Sequence, residues 1–94
     1  MRVEWTPEAL NDADRAVEFM ARDKPHAAQE MAQKIWGAIQ QLADHPGLGR
    51  SGCVAGTREL VLPDLPYIAP YIVRNNRIVI LRILHGAMKW PQSF

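Results

Sequence analysis

Four side chains in the second half of the chain carry the chemistry most worth weighing: Arg50, Arg58, Arg82 and His85. Tyr67, Tyr71 and Trp90 accompany them. Guanidinium groups hold phosphates through paired hydrogen bonds, and aromatic rings stack on unpaired bases. An imidazole moves a proton near neutral pH. Such a set suits cleavage of an RNA phosphodiester, in which the 2′-hydroxyl attacks, a base takes its proton and cations steady the charged phosphorane. Each member also has a plainer reading. Arg58 beside Glu59 is an ordinary strand charge, Arg82 pairs with an acid of a partner chain, His85 caps a sheet end, and Trp90 plugs the core. Only geometry separates the two sets of readings.

Other chemistries are thinly supplied. His26, His45 and His85 are scattered, and Cys53 is the single cysteine, so no internal disulfide and no cysteine-rich zinc site are expected. The expectation is no metal and no cofactor. Gly47, Gly49 and Gly52 follow a helical pattern rather than lead into one, which is the wrong order for a phosphate loop. Cys53 precedes Val54-Ala55 in a loop, the setting of an inert thiol.

The 94 residues allow one domain, spanning 1–94. A hydrophobic share of 48% with 22% charged residues argues for a folded chain over a disordered one. The uncharged run 65–73 is interrupted by Pro66 and Pro70, and a membrane helix needs about 20 apolar residues. Glu4, Glu8, Asp12 and Asp14 leave no apolar leader, so a cytoplasmic, reduced setting is expected. Charge is uneven along the chain. Residues 1–49 balance at −3 and residues 50–94 at +4, with no acid after Asp64. Such a split suits a negatively charged partner at the C-terminal half.

Arg2-Val3-Glu4-Trp5 alternates as a short strand. Thr6-Pro7-Glu8 then starts a helix: a capping hydroxyl, a proline at the first helical position, and an acid that complements the dipole. Leu10, Ala13, Val17 and Met20 follow at helical spacing to about Arg22. Asp23, as cap, and Pro25 start a second helix, whose stripe is Ala28, Met31, Ile35, Ala38, Ile39 and Leu42. Asp44-His45-Pro46-Gly47 stops it, and residues 47–56 read as a loop. Residues 58–62, 67–73 and 78–84 read as strands.

Asn75-Asn76 tolerates the positive φ of a type I′ hairpin loop. That loop sets Tyr71 opposite Ile80, Ala69 opposite Arg82 and Tyr67 opposite Leu84 on one face. Ile72–Val79, Pro70–Leu81 and Ile68–Ile83 fill the other, which is wholly apolar and should pack on the helices. Tyr67, Tyr71 and Arg82 would then lie on the open face. Arg82 sits in an otherwise aliphatic run and must reach solvent or a partner. Pro70 cannot donate to a ladder, so the strand should be irregular there. The expected class is α+β: an N-terminal strand and a helical hairpin packed on a small antiparallel sheet.

Several motifs together resemble the RelE/ParE superfamily of bacterial type II toxins. They are Thr6-Pro7-Glu8-Ala9 after the opening strand, the exit His45-Pro46-Gly47-Leu48-Gly49-Arg50, and Gly56-Thr57-Arg58-Glu59-Leu60. Pro66-Tyr67-Ile68-Ala69-Pro70-Tyr71 and Ile83-Leu84-His85-Gly86-Ala87, with Trp90-Pro91, complete the series over nearly the whole chain. The resemblance implies a growth-inhibiting toxin of a toxin–antitoxin (plasmid stabilisation) system. A cognate antitoxin, encoded beside it, would hold it in a hetero-oligomer. It also implies one of two targets. ParE-like members poison DNA gyrase, and RelE-like members cleave mRNA in the ribosomal A site. Arg58 and Arg82 resemble the catalytic arginines of the second branch, and His85 resembles the late histidine of some related ribonucleases, although ParE-like chains also show a Leu-His pair there; a nuclease would use all three. Against it, the only lysines are Lys24, Lys34 and Lys89, and no tyrosine follows Tyr71, whereas RelE-like chains are lysine-rich there and end with a tyrosine. The long helical hairpin and its exit look more like ParE. Arg50, Tyr67, Tyr71, Arg74, Arg77 and Trp90 are the residues expected to bind antitoxin or target. A third reading is a toxin-like module that regulates transcription through its antitoxin.

Overall fold

The computed structural model describes residues 1–94. Strand β1 (Arg2–Trp5) leads into α1 (Pro7–Ala21), where the Thr6 hydroxyl accepts from the Ala9 amide at 3.0 Å. Helix α2 (Pro25–Gln40) runs back and tightens into a 3-10 turn at Gln41–Ala43. Asp23 does not cap it. Lys24 holds the cap position without a side-chain bond. The amides of Asp23 and Lys24 both turn back to the Met20 carbonyl, so the short connection closes α1 instead of opening α2. The remaining strands are β2 (Arg50–Ser51), β3 (Arg58–Val61), β4 (Tyr67–Arg74), β5 (Arg77–Ile80) and β6 (Leu84–His85). Strand β2 falls within a segment whose glycines hide it as a loop. No helix is long and apolar enough to cross a membrane.

The sheet runs β1-β5-β4-β3-β2, with β6 also on β4. It is mixed rather than wholly antiparallel, because β1 pairs with β5 in parallel. Parallel pairing needs a long connection, and the helices with the middle strands supply it. The hairpin loop is as expected: Asn75 and Asn76 have φ of 52° and 61°, and Tyr71 faces Ile80.

The faces are reversed from expectation. Tyr71, Ala69, Ile78 and Ile80 pack on the helices with Met31, Ile35, Ile39 and Leu42. Ile72, Val79, Leu81 and Ile68 lie half-buried on the other side. The outward row carries Arg74 and Arg77 at the loop end, and the inward row would carry Arg82 without a slip, so charges mark both rows and alternation alone cannot say which is inward. The phenol of Tyr71 was the misleading signal, because its hydroxyl finds partners inside the fold.

The expected pairing also fails beyond Ile80. Tyr67 faces His85 and Ile68 faces Leu84, one residue out of step with the loop end. Pro70 explains the break. Its carbonyl accepts from the Leu81 amide at 2.9 Å, but it has no N–H to return. The Leu81 carbonyl takes the Thr6 hydroxyl instead, at 2.8 Å. Strict alternation after Ile78 and Ile80 would drive Arg82 into the core. The slip puts Ile83 there, 3% exposed, and releases Arg82.

Candidate functional site

The released Arg82 turns to α1. Its Nε and Nη2 donate to the two oxygens of Asp12 at 2.7 and 3.0 Å, and the Ile83 amide donates to the same carboxylate at 3.0 Å. The hydrogen bond to Asp12 holds the guanidinium above its ordinary pKa, against partial desolvation. The sequence reading sought an acid on a partner chain; the acid is 70 residues away in the same chain. Helical spacing alone gives Asp12 no special standing, so nothing local pointed to it.

A second cluster grips the helix exit. Tyr71 is 0% exposed, so it offers no surface to a partner, which corrects its expected binding role. Its hydroxyl accepts from the Gly49 amide and donates to the Pro46 carbonyl, each at 2.8 Å. Arg58 Nη1 donates to the Gly49 carbonyl at 2.8 Å. A side chain at Gly49 would have no room: a Cβ there would lie 2.6 Å from the Tyr71 ring and 2.8 Å from the Glu59 carbonyl. The His45-to-Arg50 motif is thus a turn moulded on one tyrosine.

A third cluster lies on the sheet face away from the helices. Glu59 is 6% exposed. It accepts from Arg50 Nε at 3.2 Å and from the Cys53 amide at 3.0 Å. Burial alone would raise its pKa, but the Cys53 and Arg50 hydrogen bonds and the Arg50 charge together hold it below the ordinary value. Ile68, Gly86, Met88 and Trp90 join Arg50, Cys53 and Glu59 around an open cleft of about 340 Å³. Trp90 Nε1 donates to the His85 carbonyl at 3.1 Å, so the C-terminal segment is folded onto this end of the sheet. The His85 Nδ1 accepts from the Ala87 amide at 3.1 Å, and its ring meets Tyr67 edge-on at 5.6 Å.

Arg58, Arg82 and His85 therefore have three separate sets of partners, and no cavity is lined by more than one of them. Arg74 and Arg77 are exposed beside the hairpin loop, and Arg77 Nη1 reaches Glu4 at 3.3 Å. No group of three or more His, Cys, Asp or Glu comes together in a way that could hold a metal.

Residues 3–90 match the family model described as ParE toxin of type II toxin-antitoxin system, parDE. The protein Y4kP of Sinorhizobium fredii is 40% identical over 91 residues, covering 97% of this chain and 94% of that protein. Toxin RelE2 of Caulobacter vibrioides is 37% identical over 86 residues, covering 92% and 96%. Among solved structures, the chromosomal ParDE TA system from P. aeruginosa superposes with a TM-score of 0.83 at 32% identity, over 90% of this chain and 95% of that one.

Proposed function

The chain belongs to the ParE toxin family of type II toxin–antitoxin systems, and from that premise we propose that it stops growth by binding DNA gyrase, not by cutting RNA. A cognate antitoxin neutralises it in a hetero-oligomeric complex. One observation carries the target: Arg82, the cation a nuclease would aim at the scissile phosphate, is held by Asp12 along the edge formed by Nε and Nη2. General acid–base chemistry needs its groups within hydrogen-bond reach of one substrate. Arg58 on the Gly49 carbonyl and His85 beside Tyr67 are employed elsewhere. The antitoxin half of the reading draws on the likeness to a solved structure of a ParDE TA system and on the positive balance of residues 50–94.

The second reading is a ribosome-dependent mRNA endonuclease using Arg58, Arg82 and His85. The resemblance to a toxin named RelE2 favours it. It requires Asp12 to surrender Arg82 when RNA binds.

Induced expression without the antitoxin tests both. The expected result is arrest with SOS induction and inhibited gyrase supercoiling in vitro, unchanged by His85→Ala. Arrest without SOS, with mRNA cut at ribosomes and cutting lost in His85→Ala, would transfer the function to the nuclease. A strain that grows normally would overturn both and leave the regulatory module.

A further inference from the structure

Three arginines far apart in the sequence form one row across the sheet. Arg2 of β1 is the register partner of Arg77 of β5, and Arg77 is the register partner of Arg74 of β4. Directly opposed residues project on the same face, about 5 Å apart. Glu4 fixes which face: it bridges Arg2 at 3.6 Å and Arg77 at 3.3 Å, and its register partner is Val79 on the side away from the helices. All three arginines are exposed.

Opposed like charges destabilise a sheet, and this row is poorly neutralised. One carboxylate serves two guanidinium groups, and Arg74 has no salt-bridge partner. The next row inward is Glu4, Val79 and Ile72, in which the two apolar side chains are only half-buried. The clefts that the C-terminal segment lines do not include them. Gly86, Met88 and Trp90 gather at the other end of the face, around Ile68 and Glu59. One end of the face is therefore covered by the chain's own tail, while the other is bare, basic and bordered by an apolar strip.

We propose that the Arg2–Arg77–Arg74 row is the dock for an acidic segment of the antitoxin. Its carboxylates meet Arg74 and Arg77, and an apolar side chain beside them lies on Ile72 and Val79. The proposal rests on the reading that an antitoxin neutralises this chain. Guanidinium forks match carboxylates in paired hydrogen bonds, and the apolar strip gives a peptide side chain a place to bury. A nucleic acid strand fits the face less well, because it needs rings to stack on. Neither row contains one: Trp5 and Tyr67 pack against the core on the helix side, Tyr71 is buried, and Trp90 is engaged at the far end.

The test titrates the purified toxin with the purified antitoxin of its own operon, comparing wild type with Arg74→Glu and Arg74→Lys. At about 50 mM salt Arg74→Glu should weaken binding about tenfold, and the gap should narrow at about 300 mM as screening grows. Arg74→Lys keeps the charge but not the paired hydrogen bonds, so its affinity should fall between those of wild type and Arg74→Glu. Thermal melting of each variant checks that the exposed site leaves the fold intact. Wild-type binding with Arg74→Glu indistinguishable from it would overturn the dock and leave the antitoxin reading standing. A wild type that fails to bind the antitoxin would overturn that reading and the dock with it. Loss of binding to a labelled DNA duplex in Arg74→Glu, with antitoxin binding unchanged, would assign the row to nucleic acid instead.

Discussion

Arg82 and Arg74 lie at opposite ends of one hairpin, and the fold treats them in opposite ways. Arg82 follows a strand break, reaches across to α1 and is held by both oxygens of Asp12. Arg74 stands at the loop, exposed, facing another arginine and without an acid of its own. The difference shows what decides the use of a charge. Side-chain type is the same in both; the backbone around each is not. Pro70 removes one ladder donor, the chain slips, and the slip turns Arg82 towards a helix that has a carboxylate waiting. No such device acts at Arg74, so its charge remains available to a partner.

Removing the helix carboxylate should break this contrast most forcefully. Asp12→Ala leaves a partly buried guanidinium unpaired and strips the Ile83 amide of its acceptor. The expected loss is about 2–4 kcal/mol in urea unfolding. A loss under about 1 kcal/mol would mean that Arg82 is as free as Arg74.

Tyr71→Phe tests the same lesson one strand inward. The phenol closes two hydrogen bonds to the helix exit, so its removal leaves a buried amide and a carbonyl unpaired. The expected cost is about 1–2 kcal/mol. Unchanged stability would mean that the exit turn holds its shape without the hydroxyl.

Much of the fold was legible because it rests on local signals. Thr6-Pro7 marks the first helix, the stripe from Ala28 to Leu42 along α2 and the 3-10 turn is buried as its spacing predicts, and Asn75-Asn76 forms the loop. The illegible parts are non-local. Which hairpin face turns inward depends on where Tyr71 finds Pro46 and Gly49. The parallel place of β1 depends on the whole chain returning to it. The arginines at 74 and 77 were legible as candidates. Arg2 was not, because only the register joins it to them. Arg58, Arg82 and His85 share a plausible chemistry in sequence, but their partners lie in three different places.

Acid should separate the buried carboxylate of the open face from the surface ones. Glu59 sits below its ordinary value near 4.5, so its contribution is full above that value and is lost as pH falls through the folded one. Glu59→Gln should therefore be less stable than wild type at neutral pH by about 1 kcal/mol, a modest figure because Arg50 is largely exposed. The gap should close as pH falls through that lowered folded value, beneath which wild type also carries a neutral side chain. A gap that widens in acid would reverse the assigned direction.

The smallest effect is expected where the charge is most exposed. Arg74→Gln removes no hydrogen bond and no ion pair, and it relieves the opposition to Arg77. Its stability should stay within about 0.5 kcal/mol of wild type, on the stabilising side. Measured beside Asp12→Ala under the same conditions, it sets the two ends of the hairpin on one scale. If Arg74→Gln were destabilising by as much as the helix variant, Arg74 would have a structural partner and the row would not be free to dock anything. If it is neutral or better, Arg74 has no structural partner and the row stays free to meet an acidic segment.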